Sequence, residues 1–199
     1  MNGWCTVLVG GMRFGGGSIT VTGDFDYNGT TADTTRTFAS SYFAIDITNP
    51  LNPILLWERS YNGLGFTTSF PAVLKVEDRV ITAGTPDTVD VQGQDWFLLF
   101  GSGPTAYDGT SSQNSSIFLV DMATGNPART FTELTDASGN DNGTALPSDG
   151  FMGSPVSIDL TVDYSVNVSY IGESHRSGGS YDGGLYRLQV PVTVGTANG

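Results

Sequence analysis

The segments Trp96-Phe-Leu-Leu-Phe-Gly-Ser-Gly103 and Ser116-Ile-Phe-Leu-Val-Asp121 decide the fold of this chain. Both contain continuous apolar runs that are too short for helices and rich in aromatic and β-branched residues, with Gly, Asp or Asn nearby. This pattern is typical of buried β-strands. An antiparallel strand with one face in water alternates polar and apolar residues. Because these runs do not alternate, they predict a sheet that is covered on both faces.

The same strand-rich unit is written nearly three times along the 199 residues. The middle copy opens with Gly65-Phe-Thr-Thr-Ser-Phe-Pro-Ala and continues through the two segments above. The third copy repeats similar motifs, which are Gly150-Phe-Met-Gly-Ser-Pro, Val168-Ser-Tyr-Ile-Gly-Glu and Gly184-Leu-Tyr-Arg-Leu. The first copy begins at Thr6-Val-Leu-Val-Gly-Gly. Internal repetition on this scale indicates blades or coils that stack on their neighbours.

We therefore predict an all-β chain of about three four-stranded antiparallel blades. The first blade covers residues 1–64 and lacks its first strand, the second covers 65–149, and the third covers 150–199 and is incomplete. Since the first strand begins so soon after Met1, we expect the chain to be a piece of a longer protein. The stretches 14–41, 103–115 and 135–149 are expected to be long polar loops, where recognition residues are often found.

Composition limits the classes of partner. The formal net charge is −12 and only 8 residues are Lys or Arg, and these are scattered. Nucleic acids and anionic membrane surfaces are bound by clustered Lys and Arg, so neither is an expected partner. No run of eighteen apolar residues occurs, so we expect no membrane insertion. Cys5, the sole cysteine, is expected to be a small buried side chain.

Three single residues support the strand assignment. Asp46 and Asp121 each close an apolar strand and are expected to accept backbone N–H bonds across the following turn. Trp57 ends the run Ile54-Leu-Leu-Trp57, where its ring is expected to fill the wedge between neighbouring outer strands.

The ordered series of motifs resembles the C-terminal β-propeller of the PilC/PilY-type type IV pilus proteins over essentially the whole chain. The motifs that carry the resemblance are Thr6-Val-Leu-Val-Gly-Gly, Tyr42-Phe-Ala-Ile-Asp-Ile-Thr-Asn-Pro, Leu55-Leu-Trp-Glu, Gly65-Phe-Thr-Thr-Ser-Phe-Pro-Ala, Leu99-Phe-Gly-Ser-Gly and Phe118-Leu-Val-Asp-Met-Ala-Thr-Gly. The strand motif is also similar to the wider quinoprotein-type repeat. The resemblance implies a partial β-propeller that is secreted, lies at the bacterial surface with the pilus tip, and supports pilus biogenesis, adhesion and twitching motility.

The resemblance also implies partners. The family's domain is longer than this chain, so the remaining propeller blades are expected on another chain or segment. Pilins, other pilus-tip proteins and a host or abiotic surface are the further partners that it implies, through loops carried on a stiff stack of blades.

The sequence contains no set of residues that predicts catalysis. His175 is the sole histidine, so no two-histidine zinc site is available, and neither a nucleophile elbow nor a phosphate-binding loop occurs. Glu173 and His175 are expected to be a surface carboxylate and a neighbouring turn residue. We expect no enzyme. The alternative is a fragment of a quinoprotein-type, PQQ-dependent dehydrogenase, which would need a calcium-bound quinone, an Asp base and aromatic stacking.

The resemblance implies a calcium loop inside a blade, and the matching positions are Asp159, Thr161, Asp163 and Asn167. Calcium takes six to eight oxygen ligands, and such loops present them from alternate residues. Here Thr161 replaces an expected acid, so two carboxylates and an amide remain. The alternative is an ordinary β-turn between the flanking strands.

A second candidate calcium loop follows from spacing alone. Asp24, Asp26 and Asn28 stand at the first, third and fifth positions of a loop with Gly at the sixth, which is the opening half of a calcium loop. The twelfth position is Thr35, where a bidentate Glu is usual, although Asp33 is near. The alternative is a solvated hairpin loop.

Overall fold

The computed structural model describes residues 5–24, 29, 34–76, 96–135, 140–162 and 164–189. Within these ranges the chain forms strands, which all pair antiparallel, and one 3-10 turn at Phe14–Gly16. The strands are β1 (Val7–Gly11), β2 (Ile19–Gly23), β3 (Thr34–Phe38), β4 (Tyr42–Asp46), β5 (Ile54–Arg59), β6 (Ala72–Lys75), β7 (Trp96–Gly101), β8 (Ile117–Asp121), β9 (Pro127–Phe131), β10 (Glu133–Thr135), β11 (Asp141–Ala145), β12 (Gly150–Met152), β13 (Val156–Ile158), β14 (Val168–Ser177) and β15 (Ser180–Gln189). The expectation of an all-β chain with antiparallel sheets is confirmed.

The middle sheet is a four-stranded meander in the order β6-β7-β8-β9. Leu99 of β7 lies opposite Ala72 of β6 on one side and opposite Leu119 of β8 on the other. Asp121 ends β8, and its Oδ1 accepts the backbone N–H of Thr124 at 2.7 Å, as predicted for the turn into the outer strand.

Both faces of the middle sheet are covered, as the non-alternating runs predict. Leu98 and Phe100 of β7 pack with Tyr42, Ala44 and Trp57 of the first sheet. The side chains of β7 that point the other way, Phe97 and Leu99, pack with Met152 and Ile171 of the third sheet. Since successive residues of a strand point to opposite faces, a strand buried on both faces must be apolar throughout.

The first sheet has the order β1-β4-β5 and packs only one of its faces. Tyr42, Ala44 and Trp57 are buried against the middle sheet, while Leu8 is 49% and Leu55 is 60% exposed. Leu8 and Leu55 both lie opposite Ile45, so they share the outward face of this sheet. Within the described residues β1 pairs with β4 alone.

The third sheet is built on β14. Strands β12 and β13 pair with successive parts of one edge of β14, and β15 pairs along the whole length of its other edge. The outward face of this sheet also exposes apolar side chains, with Val156 62% and Leu185 73% exposed. Each end sheet therefore exposes apolar side chains on the face that points away from the middle sheet.

Two stretches expected to be loops contain strands. Strands β2 and β3 form a hairpin within residues 14–41, with Thr20 opposite Thr37 and Thr22 opposite Thr35. Strands β10 and β11 form a second hairpin around residues 133–145. Both hairpins are rich in Thr, Gly, Asp or Asn. A composition of this kind predicts a loop when strands are identified by apolar runs alone.

The structure confirms the expectation that Trp57 is buried and corrects the expectation for Cys5. Trp57 is 6% exposed and packs in the core, as predicted, and its indole N–H contacts the turn after β8 rather than a described outer strand. Cys5, expected to be buried, is exposed, because it precedes β1 and packs against no described sheet. Among the residues that the structure describes, no helix has the length and apolar character needed to cross a membrane.

A polar cleft as the candidate binding site

A cleft of about 320 Å³ lies where the long loop after β7 meets the third sheet. Three separate segments line it: the loop 108–111, the turn that leads into β12, and the end of the β14–β15 hairpin. The lining residues are Asp108, Gly109, Thr110, Ser111, Asp149, Phe151, Ser174, His175, Arg176 and Tyr181. The cleft therefore combines acidic, basic, hydroxyl and aromatic side chains.

Strand register places four of the lining side chains on one face of the third sheet. Phe151 lies opposite Ser174, and Arg176 lies opposite Tyr181. Residues directly opposite each other in an antiparallel pair share a face, as do residues two apart on one strand. Two aromatic rings thus stand on the same face as a hydroxyl and a guanidinium group.

The loop side of the cleft is fixed by its own hydrogen bonds. Oδ1 of Asp108 accepts the backbone N–H of Thr110 at 3.0 Å and the Thr110 hydroxyl at 2.7 Å. These hydrogen bonds to Thr110, with a smaller contribution from the positive charge of Arg176, lower the pKa of Asp108 below its usual value. Asp108 is thus a carboxylate at neutral pH, with Arg176 near enough to stabilise its charge.

A hydrogen-bonded chain of three residues runs from His175 in the lining of the cleft to the buried residues Glu173 and Ser115. Nδ1 of His175 lies 2.9 Å from Oε2 of Glu173, whose side chain is fully buried. The hydroxyl of Ser115 donates to Oε1 of Glu173 at 3.2 Å. A β-carbon on Gly150 would lie 2.3 Å from the Ser115 hydroxyl oxygen, so only glycine fits beside this chain.

This arrangement corrects the expectation for Glu173 and His175. They lie within strand β14 and not in a turn, and Glu173 is buried and not at the surface. The error arose because Gly172, Ser174 and the polar residues after it resemble a loop, whereas the pairing with β12 and β15 makes this segment the centre of a sheet.

The backbone is strained beside the cleft. Asp149 has φ 52°, a left-handed conformation that is uncommon for residues other than Gly. Its carbonyl oxygen accepts the backbone N–H of Arg176 at 3.2 Å, which ties the turn to the hairpin. Strained residues of this kind cluster at functional sites.

The loop 159–167 uses its oxygen atoms to fix its own shape. Oδ1 of Asp159 accepts the backbone N–H of Val162 at 2.7 Å, and Oδ2 accepts that of Tyr164 at 2.8 Å. Oδ1 of Asn167 accepts the N–H of Leu160 at 2.6 Å. These contacts are those of an organised turn between β13 and β14, which was the alternative interpretation.

Three of the four predicted calcium ligands in this loop lie together. The hydroxyl of Thr161 is 3.4 Å from Oδ1 of Asp159 and 3.2 Å from Oδ1 of Asn167. One carboxylate, one amide and one hydroxyl fall short of the six to eight oxygen atoms that calcium takes. Asp163 lies outside the described residues, so calcium binding here stays a prediction.

The second candidate calcium loop is described only in part. Oδ2 of Asp24 accepts the backbone N–H of Gly29 at 2.8 Å. Asp26, Asn28 and Asp33 lie outside the described residues. Over the described ranges, no group of three or more His, Cys, Asp or Glu side chains is arranged to hold a metal ion.

Sequence reasoning missed the cleft itself. Its residues come from positions as far apart as Asp108, Asp149 and Tyr181, and no short motif joins them. The sequence contains only an indirect signal for the cleft. The loop after β7 and the turn before β12 join strands of repeats that are neighbours in the chain, and the repeat pattern predicts that these repeats pack together.

The fold was compared with solved structures. The chain is similar to the crystal structure of the Pseudomonas aeruginosa PilY1 C-terminal domain, with a TM-score of 0.55 and 20% sequence identity. The match covers 94% of this chain and 27% of that chain. The fold is thus that of a part of a PilY1-type C-terminal domain.

The sequence comparison points to the same class of protein. The chain is 26% identical over 140 residues to the type IV pilus biogenesis factor PilY1 homolog of Xylella fastidiosa strain Temecula1, a match that covers 69% of this chain and 8% of that protein. No protein-family model matches the chain. The resemblance to PilY-type C-terminal domains that the motifs indicated is confirmed by the two comparisons.

Proposed function

We propose that this chain is a non-enzymatic part of a pilus-associated β-propeller that supports type IV pilus biogenesis, surface adhesion and motility through binding by its loops. The proposed blades are residues 1–64, 65–149 and 150–199, and the proposed location is the bacterial surface, outside the cell. The name of the sequence relative, a type IV pilus biogenesis factor, supports the pilus context.

The observation that carries the proposal is the row of three sheets that cover one another face to face. The middle sheet is buried on both faces, and each end sheet exposes apolar side chains on its outward face. A large exposed apolar face marks an interaction site. In the proposed propeller, the remaining blades cover the apolar parts of the outward faces, around Leu8 and Leu55 and around Val156 and Leu185, and these blades lie on another chain or segment.

The proposed recognition elements are the loops and hairpins that extend beyond the sheets. The loop 103–116, the β2–β3 hairpin and the end of the β14–β15 hairpin are rich in Ser, Thr or Gly, and they lie between or extend the strands of the sheets. Loops positioned by a rigid scaffold are where binding residues concentrate. Their proposed partners are pilins, other pilus-tip proteins and a host or abiotic surface, with no nucleic acid and no membrane insertion.

Calcium is the proposed cofactor of the loops 24–35 and 159–167, where it would hold their order. Asp159, Thr161 and Asn167, with Asp24 in the other loop, would contribute oxygen ligands. A ligand that binds the folded state alone raises the melting temperature by mass action. We expect calcium to raise the melting temperature, and Asp24→Asn and Asp159→Asn each to reduce the rise. An unchanged melting temperature in calcium and in chelator would remove calcium from the proposal.

The experiment on the proposed function uses the bacterium that encodes the chain. Deleting the coding region for residues 1–199 within its gene is expected to reduce surface pili and the diameter of the twitching zone. A matched in-frame deletion elsewhere in the same gene is the control for protein level. Normal pili and twitching in a strain that lacks these residues would contradict the proposal, as would dye reduction by the purified protein with a quinone and an alcohol.

A further inference from the structure

We propose that the cleft between the loop 108–111 and the β14–β15 hairpin binds a neutral saccharide. The inference rests on the proposed function, because it gives the chemistry of the ligand that one of the recognition surfaces takes. It is carried by the side chains that the cleft brings together from three segments of the chain.

The charges that line the cleft oppose each other. Asp108 and Asp149 are acidic, Arg176 is basic, and His175 is already engaged with the buried carboxylate of Glu173. Arg176 contributes a little to stabilising the charge of Asp108, and two carboxylates beside one guanidinium group leave the lining slightly negative. The chain as a whole carries a net charge of −12, which repels anionic ligands over a longer range.

The polar groups that remain are suited to hydroxyl groups. Carboxylate oxygens accept hydrogen bonds, a guanidinium group donates several in a fixed fork, and serine hydroxyls do both. Ser111 and Ser174 add hydroxyl groups to the hydrogen-bonding groups of the charged residues. A sugar ring offers donors and acceptors on neighbouring carbons, which this mixed set of acidic, basic and hydroxyl side chains can satisfy.

The aromatic residues supply the apolar part of the site. Phe151 and Tyr181 lie on the same face of the third sheet as Ser174 and Arg176, and Tyr181 is 67% exposed. An exposed aromatic ring at a binding site offers a flat apolar surface with a polar tip. One face of a sugar ring carries C–H groups that pack on such a surface.

The walls of the cleft are held in place before a ligand arrives. The bonds from Thr110 fix the carboxylate of Asp108, and the carbonyl of Asp149 holds the hairpin through the N–H of Arg176. Binding is tighter when the site does not have to be ordered on association. The volume of about 320 Å³ is at the small end for ligand pockets, which fits about one or two sugar rings.

The test measures saturation-transfer difference NMR on the full chain with methyl glycosides of glucose, galactose, mannose and N-acetylglucosamine. We expect at least one glycoside to receive saturation through the C–H groups of one ring face. Tyr181→Ala and Asp108→Asn are each expected to weaken its binding at least tenfold. Tyr164→Ala, which removes another exposed tyrosine outside the cleft, is the matched control and is expected to leave binding unchanged.

Three results would overturn the inference. The first is the absence of signal from every glycoside, and the second is a signal that survives both cleft variants with their folds intact by circular dichroism. The third is at least tenfold tighter binding of glucuronate or glucosamine than of the neutral sugars. Because this assay needs no pili, each failure leaves the twitching result of the proposed function standing.

Discussion

The indole Nε1 of Trp57 donates a hydrogen bond of 2.9 Å to the backbone carbonyl of Met122. Trp57 belongs to the outer strand of the first sheet, and Met122 follows the third strand of the middle sheet. Arg59 donates to the carbonyl of Thr124, and Tyr61 to that of Gly125, both from the same part of the chain. Three side chains of one repeat thus satisfy three carbonyls in the turn of the next.

Gly125 is expected to be one of the least replaceable positions in this contact. It has φ 67°, and a β-carbon there would lie 2.6 Å from the Trp57 ring. Gly125→Ala combines left-handed strain of about 1–2 kcal/mol with overpacking of about 1–3 kcal/mol, so we expect the unfolding free energy to fall by about 2–5 kcal/mol. Urea denaturation measures it.

Gly109 provides the matched control for that substitution. It has φ 85°, but nothing lies within 4 Å of the position of its β-carbon. Gly109→Ala should therefore cost only the strain of about 1–2 kcal/mol. Equal losses for the two variants would mean that the ring of Trp57 does not restrict Gly125.

Replacing Trp57 tests the hydrogen bond together with part of the buried indole ring. Trp57→Phe keeps an aromatic ring but leaves the Met122 carbonyl without this donor, and we expect a loss of about 1–3 kcal/mol in the unfolding free energy. Trp96→Phe, at a half-exposed position, should change it by less than about 0.5 kcal/mol. A Trp57→Phe variant as stable as the parent would show that water replaces the lost donor.

Adjacent residues of β7 should be equally sensitive, although their side chains point to opposite faces. Leu98 and Leu99 are both fully buried, one against each neighbouring sheet. We expect Leu98→Ala and Leu99→Ala each to lower the unfolding free energy by about 2–5 kcal/mol, measured by urea denaturation. If one of them proved neutral, the sheet on that face would not pack as described.

The outward faces of the end sheets should make the isolated chain self-associate. Leu8 and Leu55 form part of one such face, and exposed apolar faces and strand edges promote pairing between molecules. Sedimentation velocity of the isolated chain should show species larger than a monomer, reduced by the double variant Leu8→Asp and Leu55→Asp. A soluble, folded monomer of the unchanged chain would contradict the proposal that further blades cover these faces.

Stability should fall in alkaline solution. Burial raises the pKa of Tyr61 to about 12 from 10.0, and burial also raises the pKa of Tyr42. A phenol that ionises more readily in the unfolded chain contributes stability that is complete below pH 10.0 and is lost as pH rises toward 12. Urea midpoints between pH 8 and 12 measure this decline.

Tyr61→Phe tests the assignment of that decline. The variant loses the hydrogen bond to Gly125, so it should be less stable at neutral pH. Its stability should nevertheless decline less steeply above pH 10 than that of the parent, since one of the phenols whose pKa is raised by burial is gone. The same alkaline slope in both proteins would exclude Tyr61 as a source.

Much of the fold followed from the sequence because burial on both faces leaves a direct trace. A strand such as β7 must be apolar at Phe97, Leu98, Leu99 and Phe100 alike, and no turn or helix explains that run better. Strands β2 and β3 left no such trace. Their Thr residues pair across the hairpin at 3.0 Å and 2.8 Å near solvent, so composition resembled a loop.

The cleft could not be predicted because it depends on the register of β14. Whether Glu173 is buried and Arg176 exposed is decided by which strands pair on either side of them. Likewise the φ of Asp149 is imposed by the turn that joins two sheets, and nothing in the residue type announces it. The spacing of Asp159 and Asn167 identifies side-chain oxygen atoms that could bind calcium. It does not show that these oxygen atoms already accept backbone N–H hydrogen bonds within the loop.

The packing of the middle sheet between two neighbouring sheets affects how the number of sheets in such a molecule can change. In the part of the chain that the structure describes, each sheet joins its neighbour through apolar side chains and a few polar contacts such as that of Trp57, and no strand is shared between the sheets. A gene duplication that inserts one more unit at either side would therefore meet a surface already suited to receive it. A unit added at either end leaves the packing of the middle sheet unchanged. The core residues of the middle sheet can vary only within the volume that its two neighbouring sheets leave.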